Sequence, residues 1–257
     1  MGMKLLNNDR HQQQRVLFAG DIHGNTKHAV WVFQTAANNN CTHIIACGDF
    51  GYWVHLPSGR KFVDEIAGMA QRYGIKFLWV DGNHENHDIL NGLLAQHGDT
   101  APIPTPNDWV QWIPRGCTFQ IGDNTFMGYG GAYSVDWMDR QEGMSWWRGE
   151  LIDPDHVATL PFTKVDFLVT HEAPMGAELS YKDDIPSSVA QRELVSEIVD
   201  RVQPDIVVCG HHHTRERFNV VAMGADENTD EVVIRTVEVN VLGRDTMEFD
   251  SVLIYDV

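Results

Sequence analysis

Five short groups of residues along this chain could hold metal: Asp21-Ile22-His23, Gly48-Asp49, Gly82-Asn83-His84-Glu85, His171 and Gly210-His211-His212-His213. Between them they offer two carboxylates, one amide and several imidazoles, the oxygen and nitrogen donors that a pair of divalent cations takes. Taken singly the groups are weak. A Gly-Asp at a strand end is common turn chemistry, and Asp21 and His23 are simply two side chains on one turn that can swing toward one cation. Asn83 beside His84 is more specific, because an amide supplies a carbonyl oxygen without adding charge. The His tract lies mid-chain behind an apolar run, which is no place for a surface tag. The ordered set points to a metal centre. A mixed N/O donor set suits Mn²⁺ first, and also Fe, Zn²⁺, Ni²⁺ or Co²⁺, ahead of Mg²⁺ or Ca²⁺ with their all-oxygen cages. Two such cations about 3.5–4 Å apart bind a bridging hydroxide, lower its pKa and clamp the oxygens of a phosphoryl group during in-line attack.

Each group follows a short apolar run, at residues 15–19, 43–47, 76–80, 165–169 and 205–209. These read as buried strands. Between them, residues 27–37 fit a helix, Phe62, Ile66, Met69 and Tyr73 recur at helical spacing, and Val195, Ile198, Val199 and Val202 mark a third helix. A β-α-β-α-β opening implies a parallel sheet with right-handed crossovers, whose strand ends converge on one site. Residues 98–109, rich in Pro and Asp, read as a surface loop. Residues 118–127 read as a hairpin around Gly122-Asp123-Asn124, and residues 217–257 as closing antiparallel strands with a turn near 224–228. With no repeat and no linker, residues 15–257 are expected to form a single domain behind a loose tail, residues 1–14.

The formal net charge is −17, from 36 acidic and 19 basic residues. That argues against an extended nucleic-acid surface. It leaves room for a small phosphorylated substrate, since bound cations make the local field positive. No apolar stretch approaches the roughly 20 residues of a membrane span. The polar N-terminus has no secretory pattern, so the expected setting is cytoplasmic. The four cysteines include no CxxC pair, and Cys47 and Cys209 lie within apolar runs as small hydrophobes. Oligomeric state is left open by the sequence.

The series Gly-Asp-Ile-His-Gly-Asn (20–25), Gly-Asp (48–49), Gly-Asn-His-Glu (82–85), Thr-His (170–171) and Gly-His-His-His (210–213) resembles the calcineurin-like metallophosphoesterase superfamily. Small bacterial and phage members are the nearest in pattern. The resemblance implies an α/β fold of two mixed β-sheets packed as a sandwich flanked by helices, with two metals at the sheet edges. It implies that Asp21, His23 and His213 hold the first metal, that Asn83, His171 and His211 hold the second, and that Asp49 bridges them. His212 falls at the variable position. His84 would face the phosphate and stabilise charge or protonate the leaving oxygen.

The departures from the family pattern narrow the activity. Protein phosphatases and dinucleoside polyphosphate hydrolases of the superfamily carry Gly-Asp-x-Val-Asp-Arg-Gly at the second motif, whereas here Asp49 is followed by Phe50-Gly51-Tyr52-Trp53. The Asp that orients the catalytic His and the Arg that meets phosphate are therefore missing. This favours a phosphodiesterase acting on small diesters such as cyclic nucleotides or nucleotide esters. A phosphomonoesterase, an oligonucleotide nuclease and a non-catalytic binding scaffold are the alternatives. A backbone carbonyl or Asp88 is the candidate to orient His84. Tyr52, Trp53, Trp137, Trp146 and Trp147 are candidates to stack on a base, and Arg140 and Arg148 to meet phosphate; core-capping aromatics and surface arginines are the competing reading. Residues 133–148 and 178–188 are candidates to cover the site, the latter as a lid or as an ordinary loop.

Overall fold

A computed structural model describes residues 14–176, 179, 185–225 and 232–257. The first strands follow the apolar runs: β1 (Arg15–Ala19), β2 (His43–Cys47) and β3 (Lys76–Val80). They alternate with α1 (Thr26–Asn38), α2 (Pro57–Tyr73) and α3 (His87–His97). After α3 come β4 (Ile103–Asn107), β5 (Val110–Trp112), β6 (Thr118–Ile121) and β7 (Asn124–Tyr129). The chain continues through α4 (Pro154–Thr159), β8 (Phe167–Thr170), α5 (Pro186–Val202) and β9 (Ile206–Cys209), and finishes with β10 (Glu216–Ala225), β11 (Val232–Val241) and β12 (Val252–Asp256).

These strands form two six-stranded mixed sheets, β12-β1-β2-β3-β5-β4 and β10-β11-β9-β8-β7-β6. Strands β1, β2 and β3 pair in parallel, as do β7, β8 and β9. The period-2 alternation of each strand explains the layering. Val16 and Phe18 of β1, Ile45 and Cys47 of β2, and Leu78 and Val80 of β3 pack against Phe126, Phe167, Val169 and Val208 of the second sheet. Leu17, Ala19, Ile44, Ala46, Phe77 and Trp79 face the opposite way, onto Val32 and Phe33 of α1, Phe62 and Ile66 of α2 and Leu90 of α3. On the far side of the second sheet, Leu168, Val207 and Cys209 meet Val157 of α4 and Val195, Ile198 and Val199 of α5. Strands buried on both faces read as continuous apolar runs, which is why five of them were visible in the sequence.

Residues 98–109 depart from expectation. Residues 103–107 are a strand, β4, paired antiparallel with β5. Pro104 and Pro106 fit there because β4 is a sheet edge, where a missing N–H costs no ladder bond. The hairpin expected at 118–127 is the β6–β7 pair, closing at Ile121↔Asn124. At the C-terminal end, β10 is antiparallel to β11 and β12 to β1, but β11 joins β9 in parallel. The tail expected at residues 1–14 lies, apart from Gln14, outside the described residues, as do most of the turn near 224–228 and residues 178 and 180–184. Among the described residues, no helix is long and apolar enough to cross a membrane.

Candidate metal centre

The candidate ligands sit on the turns that leave the carboxyl ends of β1, β2, β3, β8 and β9. The side chains of Asn25 and Asn86 cap the helices that follow two of these turns, accepting from Lys27 N and His28 N, and from Ile89 N. The turns are strained. Among the described residues six non-glycines have positive φ, and four of them are His23 (49°), Asp49 (45°), His211 (66°) and His213 (53°). Each such conformation costs roughly 1–3 kcal/mol and persists only where the surroundings hold it. They also need glycine neighbours: a Cβ on Gly82 would lie 2.4 Å from Asp49 N, and one on Gly210 would lie 2.2 Å from Asp21 Oδ1.

Asp49 occupies the middle. Its Oδ1 accepts from His84 N at 2.9 Å. Its Oδ2 lies 3.3 Å from His23 Nε2, 3.4 Å from His171 Nε2 and 3.8 Å from His84 Nε2. Asp21 Oδ1 accepts from His211 N at 3.0 Å, and Asp21 Oδ2 faces His213 Nε2 at 3.0 Å. Asn83 Oδ1 lies 3.0 Å from His171 Nε2, and the rings of His171 and His211 are 5.0 Å apart. Donor atoms converge in three overlapping groups: Asp21, His23 and His213; Asp21, Asp49 and His171; and His23, Asp49 and His84. Five of the seven proposed ligands fall in these groups, Asn83 and His211 adjoin them through His171, and His84 stands at the edge.

The electrostatics couple the acids and imidazoles of the cluster tightly. Asp21, Asp49 and His171 are essentially fully buried. Burial alone would push the carboxylates up and the imidazoles down. For Asp49 the neighbouring histidines prevail and hold its carboxyl well below the usual range; Asp21 is also lowered, by His213 and His171. Conversely, Asp49 and Asp21 overcome burial to raise His171 to about 10, and with Asp245 they raise His23 to about 9. His211 goes the other way, pushed down by burial to about 4, which leaves a neutral ring with a lone pair to give. The buried Asp21 Oδ2 and Glu172 Oε2 receive no hydrogen bond: His213 Nε2 is near Asp21 Oδ2 but out of line for one. Buried carboxylate oxygens without donors are costly, and a divalent cation held by Asp21 would satisfy the first of these two. The residues fit the metals that the donor chemistry implies.

An open cavity of about 510 Å³ lies over this cluster, lined by Asp49, Asn83, His84, His211 and His213 and, on its outer walls, by Val135, Asp136, Arg140, Ile185 and Ser188. The two terminal nitrogens of Arg140 lie 2.9 and 3.1 Å from the two ring nitrogens of His84. Asp136 accepts from the far side of the same guanidinium at 2.9 Å. Asp88, offered beside a backbone carbonyl as a candidate to orient His84, instead accepts from Trp147 Nε1 at 3.1 Å. The group that holds the His84 ring is therefore a cation. Burial first, and then Arg140 against the pull of Asp49, keeps that ring below its ordinary pKa and neutral.

The substrate candidates separate sharply. Arg140 lines the cavity. Tyr52 does not: it is 7% exposed and packs on Trp79, ring centroids 5.1 Å apart, because the turn after Asp49 folds inward onto the first sheet. Trp53 donates from Nε1 to the His84 carbonyl at 2.7 Å and so braces the turn. Trp147 is buried against the rest of the protein, and Trp146, also buried, pairs with the half-exposed Trp137. Arg148 is exposed and does not line the cavity. From the 133–148 stretch Val135, Asp136 and Arg140 reach the cavity wall, and from 178–188 Ile185 and Ser188 do.

Several further residues shape the site, and of these only Glu85, inside the third group, was singled out in the sequence. The buried Glu85 accepts from Gly51 N at 2.9 Å and Gly82 N at 2.6 Å, tying two of the turns together. Glu172 accepts from His212 Nε2 at 2.7 Å and lies 3.7 Å from His211 Nε2. Asp245 accepts from Asn25 Nδ2 and lies 3.7 Å from His23 Nδ1. Glu85 and Glu172 directly follow motif histidines, which was a usable signal. Nothing local pointed to Asp245.

Sheet pairing, turn placement and donor set together define an α/β sandwich built around a two-metal type of site. The family model for calcineurin-like phosphoesterases matches residues 14–215. The chain belongs to that family, whose members carry a dinuclear divalent metal site. Among solved structures, a dimetal phosphatase from Danio rerio is similar at a TM-score of 0.51 with 11% identity, over 90% of this chain and 88% of that one. A Thermus thermophilus protein is similar at a TM-score of 0.49 with 12% identity, over 95% of this chain and 99% of that one. At such identity the likeness to the first concerns the fold alone, and the second carries no argument. No curated protein matches the chain by sequence.

Proposed function

We propose that this chain is a dinuclear metal-dependent phosphoesterase that favours small phosphodiesters, such as cyclic nucleotides or nucleotide esters, over monoesters. The observation that carries the reading is the cavity itself, with Asp49, Asn83, His211 and His213 on its floor and His84 and Arg140 facing each other on its wall. Asp21, His23 and His213 would hold the first metal, Asn83, His171 and His211 the second, and Asp49 both. Manganese is the preferred occupant. When bound, the two metals supply Lewis acidity toward the phosphoryl oxygens and a nucleophile at neutral pH.

The chain's own residues do the rest. Arg140 offers a planar, permanently charged fork to a non-bridging phosphate oxygen. The neutral His84 has one N–H to donate to the leaving oxygen as charge builds on it. The preference for diesters rests on two features. The phosphatase pattern places its phosphate-binding Arg four residues after Asp49, and here that position is Trp53, whose Nε1 donates to the His84 carbonyl. The cavity, about 510 Å³, is also lined by Val135 and Ile185 beyond the donors, apolar surface that a second ester group could occupy. The test is turnover of bis(p-nitrophenyl) phosphate and of p-nitrophenyl phosphate after reconstitution with Mn²⁺, extended to cyclic nucleotides and short oligonucleotides. The diester is expected to react faster. Faster monoester turnover would overturn the diester preference, and no turnover of either ester with any candidate metal would overturn the enzyme reading.

A further inference from the structure

Asn83 can serve a cation only through its oxygen, and an amide has two faces of similar shape and opposite polarity. Its orientation here follows from a buried relay that begins on a different segment of the chain. The Asn83 Nδ2 group donates to Ser134 Oγ at 2.9 Å. Ser134 Oγ in turn donates to Glu150 Oε2 at 2.8 Å, and Ser134 N donates to Glu150 Oε1 at 2.9 Å. Ser134 is 1% exposed, Glu150 0% and Asn83 3%. A hydroxyl has one proton. Because the carboxylate takes it, Ser134 Oγ presents only lone pairs to Asn83, and these accept an amide N–H and repel an amide oxygen. Asn83 Oδ1 is left pointing at the cluster, 3.0 Å from His171 Nε2.

We infer that Ser134, polarised by the buried Glu150 carboxylate, is a positioning residue that fixes the Asn83 oxygen toward the second metal. The inference rests on the dinuclear reading above. The segment is itself well anchored: Gly131 N donates to the Asp81 carbonyl at 2.9 Å and Ala132 N to the Glu150 carbonyl at 3.1 Å, so Ser134 is held against the turn that carries Asn83. In Ser134→Ala the amide loses its acceptor and is free to turn its NH₂ toward the cation. In Glu150→Gln one arm of the clamp becomes a donor. If that donor faces Ser134 Oγ, the hydroxyl proton turns toward Asn83 and reverses the relay. If it faces Ser134 N instead, the backbone anchor is lost.

The test is calorimetric titration of metal-free protein with Mn²⁺ alone. The wild type is expected to show two sites. Ser134→Ala and Glu150→Gln are expected to weaken one of them by about 10–100-fold, the usual effect of removing a group that orients a ligand, and to leave the other within about threefold. Asn83→Ala should remove that same site. Unchanged Mn²⁺ binding in Ser134→Ala, with one site lost in Asn83→Ala, would overturn the inference and spare the dinuclear reading. Equal weakening of both sites together with a lowered melting temperature would mean a structural role and would also overturn it. Fewer than two Mn²⁺ sites in the wild type would instead overturn the reading beneath it.

Discussion

Replacing Arg115 with Met should destabilise the protein sharply, and the reason can be worked from the contacts it makes. Its Nε and Nη2 donate to Asp81 Oδ2 at 3.0 and 2.7 Å, and its remaining donors reach the carbonyls of Leu151 at 2.7 Å and Gly149 at 2.9 Å. Asp81 is 1% exposed. Burial works against its carboxylate, yet Arg115, with smaller help from His87 and Trp112, holds its pKa below the ordinary value. Methionine keeps much of the volume but leaves a buried carboxylate with only Trp112 Nε1, at 3.3 Å, as a hydrogen-bond donor. Breaking a buried pair in this way costs about 3–5 kcal/mol. For a chain of this size that lowers the melting temperature by roughly 6–20 °C.

The pH dependence has a definite sign. In the wild type the depressed Asp81 pKa contributes stability that is present above the unfolded value near 3.8 and is lost as pH falls through the lower folded one. In Arg115→Met burial prevails and raises that pKa, so the deficit is largest at neutral pH and shrinks on acidification. Adding Asp81→Asn removes the stranded charge and should recover part of the loss. The assay is thermal unfolding of metal-free protein for both single variants and the double, between about pH 5 and 8. A loss under about 1 kcal/mol in Arg115→Met, or a double variant no more stable than that single one, would refute the reasoning.

Four further outcomes are expected. Arg140→Ala removes one charge-assisted contact to phosphate, worth about 1.5–3 kcal/mol, so kcat/KM should fall by roughly 10–150-fold with metal content unchanged. His84→Ala should keep both metals and lose about 10²–10⁴-fold in rate, most for poor leaving groups, as read by metal analysis beside kinetics. His43, pushed down to about 4 by burial and by Lys76, should make the fold acid-sensitive. Its contribution is intact above 6.5 and is lost as pH falls toward 4, amounting to at most about 3 kcal/mol, and His43→Gln should flatten that limb of the stability curve. Asp49→Ala should abolish metal loading and activity together.

The sequence disclosed those parts of the molecule that depend on neighbours along the chain. Apolar runs marked β1, β2, β3, β8 and β9 because these strands are buried on both faces, and each run ended at a residue with metal-binding chemistry. The strand β4 was obscured by Pro104 and Pro106, which only its edge position makes acceptable. The ring of Tyr52 was left between stacking surface and core-capping aromatic because nothing local shows that its turn folds inward onto Trp79. The largest gaps concern residues that act across distance. Ser134 and Glu150 reach Asn83 from some 50 and 70 positions away, and Asp245 returns to His23 from beyond β11. Arg140 stands beside His84 where a backbone carbonyl or an acid was expected, because the sequence shows which family residue is missing but not which segment fills the space.

The central claim, a two-metal site shared through Asp49, is tested most directly by counting metal. Metal-free protein and its Asp49→Ala variant are reconstituted with Mn²⁺ and the bound metal is measured per folded chain. Two Mn²⁺ in the wild type and fewer than one in the variant is the predicted result. Two Mn²⁺ retained in Asp49→Ala, or a single Mn²⁺ in the wild type, would contradict it.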